Sequence, residues 1–148
     1  MKITAYTASD RHRADLERLL EEAGLPTEGL DPAPDRTVVA FEGDRLWGAA
    51  TVHRYAGGGL LRSVVVAKDL RGRGLGAKLT EKAIDLARQS GVTTIYLLTE
   101  TASEFFLRFG FEVIPRESVP VDVARDVEFT TLCPSLATVM AARLSNSR

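Results

Sequence analysis

Residues 64–78 run Val-Val-Val-Ala-Lys-Asp-Leu-Arg-Gly-Arg-Gly-Leu-Gly-Ala-Lys. An apolar, β-branched run (Val64, Val65, Val66) enters a turn with glycines at 72, 74 and 76. A helical period then starts at once, with Leu75, Leu79, Ala83 and Leu86 spaced four, four and three apart. Glycines let the backbone curl so that successive N–H groups point inward, and the new helix adds its unpaired N–H groups and the positive end of its dipole. Arg71 and Arg73 place side-chain charge beside them. Together these features make an anion site suited to a pyrophosphate. One exposed helix-end interaction is worth only about 0.3–1 kcal/mol, so several must act together.

Three readings of this stretch compete. A tight strand-to-helix turn would usually need one glycine, whereas this one carries three. A dinucleotide fingerprint is met in letters, because Gly72, Gly74 and Ala77 satisfy G-x-G-x-x-A and Glu100 falls where a ribose-binding acid might lie. That fingerprint belongs after the first strand of a βαβ run, however, and here hairpin-linked strands come first. The Walker phosphate loop fails, since Lys78 is followed by Leu79 and not by Ser or Thr.

Outward from the turn, TVVAF (37–41), LWGAATVHRY (46–55) and LLRSVVV (60–66) are apolar and β-branched, separated by Glu42-Gly43-Asp44 and Gly57-Gly58-Gly59. This pattern predicts an antiparallel meander of three strands. Upstream, residues 2–7 alternate like a short strand. Ser9 is placed to cap a helix carrying Leu16, Leu19, Leu20 and Ala23 on one face, with Gly24 as its stop. Residues 25–34, with three prolines, read as an irregular connection. Downstream, 92–98 (VTTIYLL) is a strand, and Thr101-Ala-Ser-Glu104 fits a capping box for a helix that Gly110 ends. FEVIP (111–115) and SLATVMAARL (135–144) give two further strands, with a polar stretch at 116–128 between them. The order β-α-βββ-α-β-α-β-β predicts a mixed α/β sheet with flanking helices.

Composition narrows the class. At 148 residues the chain fits one domain. Its 45% hydrophobic and 26% charged content is that of an ordinary globular protein. A net charge of −1 gives no global field for nucleic acid or an anionic membrane. The lone Cys133 excludes an intrachain disulfide and any multi-thiolate zinc site, and with two histidines no metal centre is expected. No apolar run reaches the 18 to 20 residues of a membrane span, and a cytoplasmic location is the expectation.

The motif Arg71-x-x-Gly74-x-Gly76 behind Val64–Val66 resembles the pyrophosphate-binding motif of the GNAT acetyltransferase superfamily, and the element order is similar over nearly the whole chain. The resemblance implies a single domain (1–148) with a splayed central sheet and acetyl-CoA as co-substrate. It places Arg71, Gly72, Arg73, Gly74, Leu75, Gly76 and Ala77 at the pyrophosphate. The strand Val64, Val65, Val66 would offer its backbone edge, at Val64 and Val66, to the pantetheine arm. A nearby amide would polarise the thioester carbonyl, and Phe106 would adjoin the coenzyme. Relatives often dimerise through their last strands, which makes a homodimer a further implication. More narrowly, LLRSVVV, YLLTETASEFFLRFGFEVIPRESVP, EFTTLCPSLATVM and AGLPTEGL (23–30) resemble the arsenic-resistance-associated branch, itself similar to the acetyltransferase domain of N-acetylglutamate synthases. That branch implies a small acceptor: an amino acid, or an arsenic- or phosphorus-containing glutamate analogue, acetylated on its α-amine.

Amine attack on a thioester needs a neutral amine, a polarised carbonyl and a proton for the leaving thiolate. Many relatives carry a tyrosine acid where this chain has Phe106, so water or the released ammonium would have to serve. His53 is a candidate base, its ordinary pKa of about 6.5 suiting proton removal near neutrality, with a packing histidine as the plainer alternative. Glu100 is the second candidate; His12, on the polar face of the first helix, reads as solvated. Arg54 and Arg62 could bind an acceptor carboxylate, since an arginine within an apolar strand is costly unless paired. A structural ion pair explains Arg62 equally well. Thr99 could donate to substrate. Cys133 reads as a buried small hydrophobe, so an arsenical would be recognised through its amino-acid portion. Two other functions remain open: an acyl-CoA-binding module without turnover, and a protein N-acetyltransferase.

Overall fold

The computed structural model describes residues 2–6, 10–25, 27, 36–100, 102–126, 129 and 137–144. The elements are β1 (Lys2–Ala5), α1 (Asp10–Glu22), β2 (Thr37–Glu42), β3 (Arg45–Tyr55), β4 (Gly58–Val66), α2 (Leu75–Gln89), β5 (Thr94–Thr99), α3 (Ser103–Leu107), β6 (Glu112–Val113), α4 (Val121–Ala124) and β7 (Thr138–Arg143). They form one seven-stranded sheet in the order β1-β2-β3-β4-β5-β7-β6, antiparallel throughout except between β4 and β5. The predicted mixed α/β sheet and its central meander are both present.

Helices cover opposite faces of this sheet. On one face α2 buries Leu75, Leu79 and Ala83 of the period read from the sequence, together with Ile84 and Ala87, against Val38, Ala50, Val52, Leu61, Ile95 and Leu97, while Leu86 is only partly buried beside them. On the other, Leu16, Leu19 and Leu20 of α1 pack on Val39, Leu46, Ala49 and Val65. The alternation of β4 explains the division, since Val65 turns to α1 while Val64 and Val66 border the α2 cluster. A third cluster at the far end of the meander joins Leu60 to Val119, Val123 and Val139.

Several boundaries differ from those expected. In the FEVIP segment only Glu112 and Val113 form strand β6, at the sheet's edge beside β7, with one further bond from Ile114 N–H to Val139 C=O at 3.0 Å. Within the polar stretch after 116, α4 forms a single turn that buries Val123 completely against Leu60 and Val139. The proposed caps at Ser9 and Thr101, and Cys133, lie outside the described residues. At the start of α3, Thr99 Oγ1 accepts from the Ala102 N–H at 2.9 Å. His12 is half-buried, its ring 4.8 Å from that of Phe41.

Close approach of α2 to the meander depends on Gly48. A Cβ there would stand 2.8 Å from both Leu79 Cδ1 and the Val65 carbonyl oxygen. Gly48→Ala must therefore lift the helix or displace β4, at a cost of about 1–3 kcal/mol. Chemical denaturation should show that loss as a lowered midpoint with an unchanged slope.

Candidate active site

Strands β4 and β5 are hydrogen-bonded only at their beginnings, through Gly59↔Ile95 and Leu60↔Tyr96. Beyond that point they part, and the wedge between them forms a cleft of about 830 Å³. One wall is Leu61, Arg62, Ser63, Val64 and Val66 of β4, and the other is Leu97, Leu98, Thr99 and Glu100. Gly76 at the start of α2 and Phe105 and Phe106 of α3 line its wide end, and Ala23–Leu25, after α1, contribute from the opposite face.

The backbone of β4 presents free groups to this wedge. Ala67 N–H donates to Trp47 C=O at 2.7 Å, which makes 67/47 a bonded pair of the β3–β4 ladder. Bonded and non-bonded pairs alternate in an antiparallel ladder, so Val65 faces Ala49 while the N–H and C=O of Val64 and Val66 point away from β3, into the gap. The Val66 carbonyl accepts from Arg71 Nε at 3.1 Å. Nearer the start of β4 the register slips between Thr51↔Ser63 and Val52↔Leu61, so that it passes over Arg62 as a bulge.

At the wide end the turn has the conformation that its glycines suggest. Gly72 and Gly74 sit at φ +83° and +81°, and Gly74 is the N-cap of α2 with no side-chain cap. A Cβ on either would meet nothing within 4 Å, so dihedral preference and not crowding demands glycine there. Gly76 is different: it lies inside the helix, and a Cβ would make ordinary contacts with Val66 at 3.7 Å and Phe105 at 3.9 Å. The first α2 bond runs from Lys78 N–H to Gly74 C=O. The N–H groups of Leu75, Gly76 and Ala77 therefore have no partner in the helix, and no acidic residue stands in its first turn. Leu75 is buried in the core, so only its backbone can face a ligand. Of this turn only Arg71 and Gly76 line the cleft; Gly72, Arg73, Gly74 and Ala77 are outside its lining, and Val65 faces the α1 core.

Placement separates the remaining candidates. Glu100 and Thr99 line the cleft; Arg54 is exposed on β3 outside it. His53 also lies outside the cleft wall, with Nδ1 3.2 Å from Asp126 Oδ2. Arg62 contributes to the wall, yet its side chain is fully buried and Nη1 lies 3.6 Å from Asp126 Oδ1. Tyr55 O–H donates to Asp126 Oδ2 at 2.5 Å. A buried carboxylate thus gathers three groups of the meander. The sequence reading missed it because Asp126 is 73 residues from His53 and 71 from Tyr55. Its one sequence signal is an acid that follows the valines of 119–123 by three residues. Burial, then the bond and charge of Asp126, push the Tyr55 phenol well above its ordinary range, while the Arg62 charge opposes them. Tyr96 is also raised, mainly by burial. Among the described residues lining the cleft there is no tyrosine. Phe106 holds that side, edge-to-face with Phe111 at 5.8 Å.

Comparison with known proteins gives a consistent picture. Residues 4–111 match the model of the Acetyltransferase (GNAT) family. An uncharacterised N-acetyltransferase of Chlorobaculum tepidum is 36% identical over 74 residues, 50% of this chain and 45% of that protein. The chain spans about half the length of the curated relatives it matches. N-acetylglutamate synthase from Neisseria gonorrhoeae, complexed with coenzyme A and N-acetyl-glutamate, superposes with a TM-score of 0.75 at 22% identity, over 97% of this chain and 35% of that one. A Mycobacterium tuberculosis protein in complex with coenzyme A gives 0.78 at 20% identity, over 98% and 100%. At these identities the structural likeness is one of fold.

Two stability experiments follow from the geometry. Gly74→Ala should cost about 1–2 kcal/mol through its left-handed backbone, whereas Gly76→Ala should be neutral or gain up to about 1 kcal/mol as a helix substitution; paired thermal melts separate them. Asp126→Ala leaves the buried Arg62 charge without this carboxylate and should cost about 3–5 kcal/mol. Because folding keeps Tyr55 protonated, wild-type stability is fully present below the ordinary tyrosine pKa of about 10 and falls as pH rises above it. Ultraviolet titration should show Tyr55 ionising late, and earlier in Asp126→Asn.

Proposed function

Because the chain belongs to the GNAT acetyltransferase family, we propose that it transfers an acetyl group from acetyl-CoA to the amine of a small, amino-acid-like acceptor. The observation that carries this reading is the parting of β4 from β5 beside an uncapped helix N-terminus. A diphosphate fits the N–H groups of residues 75–77, with Arg71 beside them, and Gly72 and Gly74 leave open space around it. The pantetheine arm then pairs with the edge of β4 at Val64 and Val66 as an added strand would. The bulge at Arg62 turns main-chain groups toward the thioester, where an N–H stabilises the developing oxyanion.

On the acceptor side, Glu100 takes the amine's proton, directly or through a water, because it is the candidate base that lines the cleft. His53, bound to Asp126, serves as a packing and hydrogen-bonding group. Thr99 Oγ1 already accepts from Ala102 N–H, which leaves its hydroxyl proton to donate to an acceptor carboxylate. Arg62 acts on that end through its ion pair with Asp126, and Arg54 is exposed outside the cleft. The tetrahedral intermediate collapses with loss of the coenzyme thiolate. Phe106 has no proton to give, so water or the new ammonium supplies it.

A free amino acid or a glutamate analogue containing phosphorus or arsenic is the acceptor class we favour. Its support is the sequence likeness at 60–66, 96–120 and 23–30, together with the fold shared with a synthase whose complex holds N-acetyl-glutamate. One specific observation, Phe106 in place of a hydroxyl, favours a second reading: an acyl-CoA-binding module without efficient turnover. A thiol-release assay with acetyl-CoA across α-amino acids and these analogues separates the two. Transfer predicts acceptor-dependent release, a drop of about 10²–10⁴-fold in Glu100→Gln, and weaker coenzyme A binding in the well-folded Gly76→Ala. Coenzyme A binding with no release for any amine supports the module instead.

A further inference from the structure

The wedge has a closed end, and its closure bears on which acyl groups fit. Strand β4 runs from Gly58 toward α2, so a coenzyme whose diphosphate sits at the start of α2 lies with its arm directed back along β4. Val66 lies five residue steps from Leu61, which at about 3.3 Å per step is roughly 17 Å of strand edge. At the narrow end the strands meet again in the pairs Leu60↔Tyr96 and Gly59↔Ile95, where backbone hydrogen bonds leave no passage. Leu61 and Leu97 are the first residues on either side of that closure. Both line the cleft, they are only 3% and 1% exposed, and they belong to one cluster with Phe111 and Met140.

We propose that Leu61 and Leu97 form a floor that restricts the transferred acyl group to about the size of acetyl. The proposal rests on the coenzyme reading above and goes beyond it by naming what selects the acyl chain. Its physical basis is that the floor is part of a close-packed core. A longer chain would have to displace one of two leucines that have no free volume to move into. Truncating either leucine leaves space beside the apex, lined by apolar atoms, that an extra methylene or two can occupy.

Calorimetric titration of acetyl-, propionyl- and butyryl-CoA into wild type, Leu97→Ala and the milder Leu97→Val tests this, with Leu61→Ala as the opposite wall. Circular dichroism melts confirm that each variant is folded. Wild type should bind acetyl-CoA at least about ten-fold more tightly than butyryl-CoA. In Leu97→Ala the preference should move toward butyryl-CoA by on the order of ten-fold, since each buried methylene contributes about a factor of four. Leu97→Val should move it by one carbon, favouring propionyl-CoA. Folded variants that bind all three with the wild-type order overturn the floor but leave the coenzyme reading intact. Wild type that does not distinguish acetyl from butyryl overturns it as well. Failure of wild type to bind any of the three removes the coenzyme reading and the floor together.

Discussion

The structure turns on two neighbouring strands that start as partners and then stop pairing. Leaving sheet edges unpaired is costly in a buried setting, so a gap between β4 and β5 persists only if each strand is held firmly from its other side. That is the arrangement here. Strand β4 is bonded to β3 along its length, and α2 packs on that pair, approaching closely at Gly48 of β3. Strand β5 is paired with β7 from Thr94 to Thr99. The two halves of the sheet thus diverge as rigid bodies about the pairs at Gly59 and Leu60. One exposed carbonyl, that of Val66, is satisfied locally by Arg71, and the remaining edge groups define a slot with the polarity of a missing strand.

The two ends of this slot are made of different material. The wide end combines main chain (a turn whose dihedrals require glycine, three helix N–H groups and a strand edge) with the rings of Phe105 and Phe106. The narrow end and the face toward α1 are made of side chains, and these are fixed from a distance. Asp126 reaches across from the turn after α4 to Arg62, Tyr55 and His53, while Asp122 accepts from Gly57 N–H at the hairpin tip. The segment 119–126 is thereby fastened to the meander by polar bonds as well as by Val119 and Val123. Buried charge of this kind adds little net stability over an apolar packing of the same shape. Here it ties the bulge at Arg62 to the turn after α4.

That division accounts for what could be read from the sequence. The strand, the turn and α2 were legible because their signals are local: β-branched runs, glycines at 72 and 74, and leucines and alanines at helical spacing. The resemblance of that motif to a known family supplied the wedge, which no periodicity encodes, since Leu61 and Leu97 look like ordinary strand residues in sequence. Asp126 was invisible for the opposite reason. A carboxylate in a polar stretch looks solvated until folding brings β3 over it, and the roles considered for His53 and Arg62 depended on that one contact. The short α4 was likewise hidden, because it is held by the burial of Val123 and not by helix propensity. Edge position, a property of the whole sheet, goes with a strand of only two residues in FEVIP.

The absence of a hydroxyl at Phe106 has a chemical consequence for a cleft of this design. Phe106 packs against both Phe105 and Phe111 beside the start of α2, so this wall offers low polarity and no exchangeable proton. Excluding water there strengthens the attraction between the unpaired amides and any developing negative charge. It also leaves a departing thiolate without an acid at hand. A thiol with an ordinary pKa near 8.5 tolerates that, because its anion is already a competent leaving group near neutrality. An alkoxide or amide leaving group would not. The same apolar wall is therefore compatible with chemistry in which a thiolate leaves.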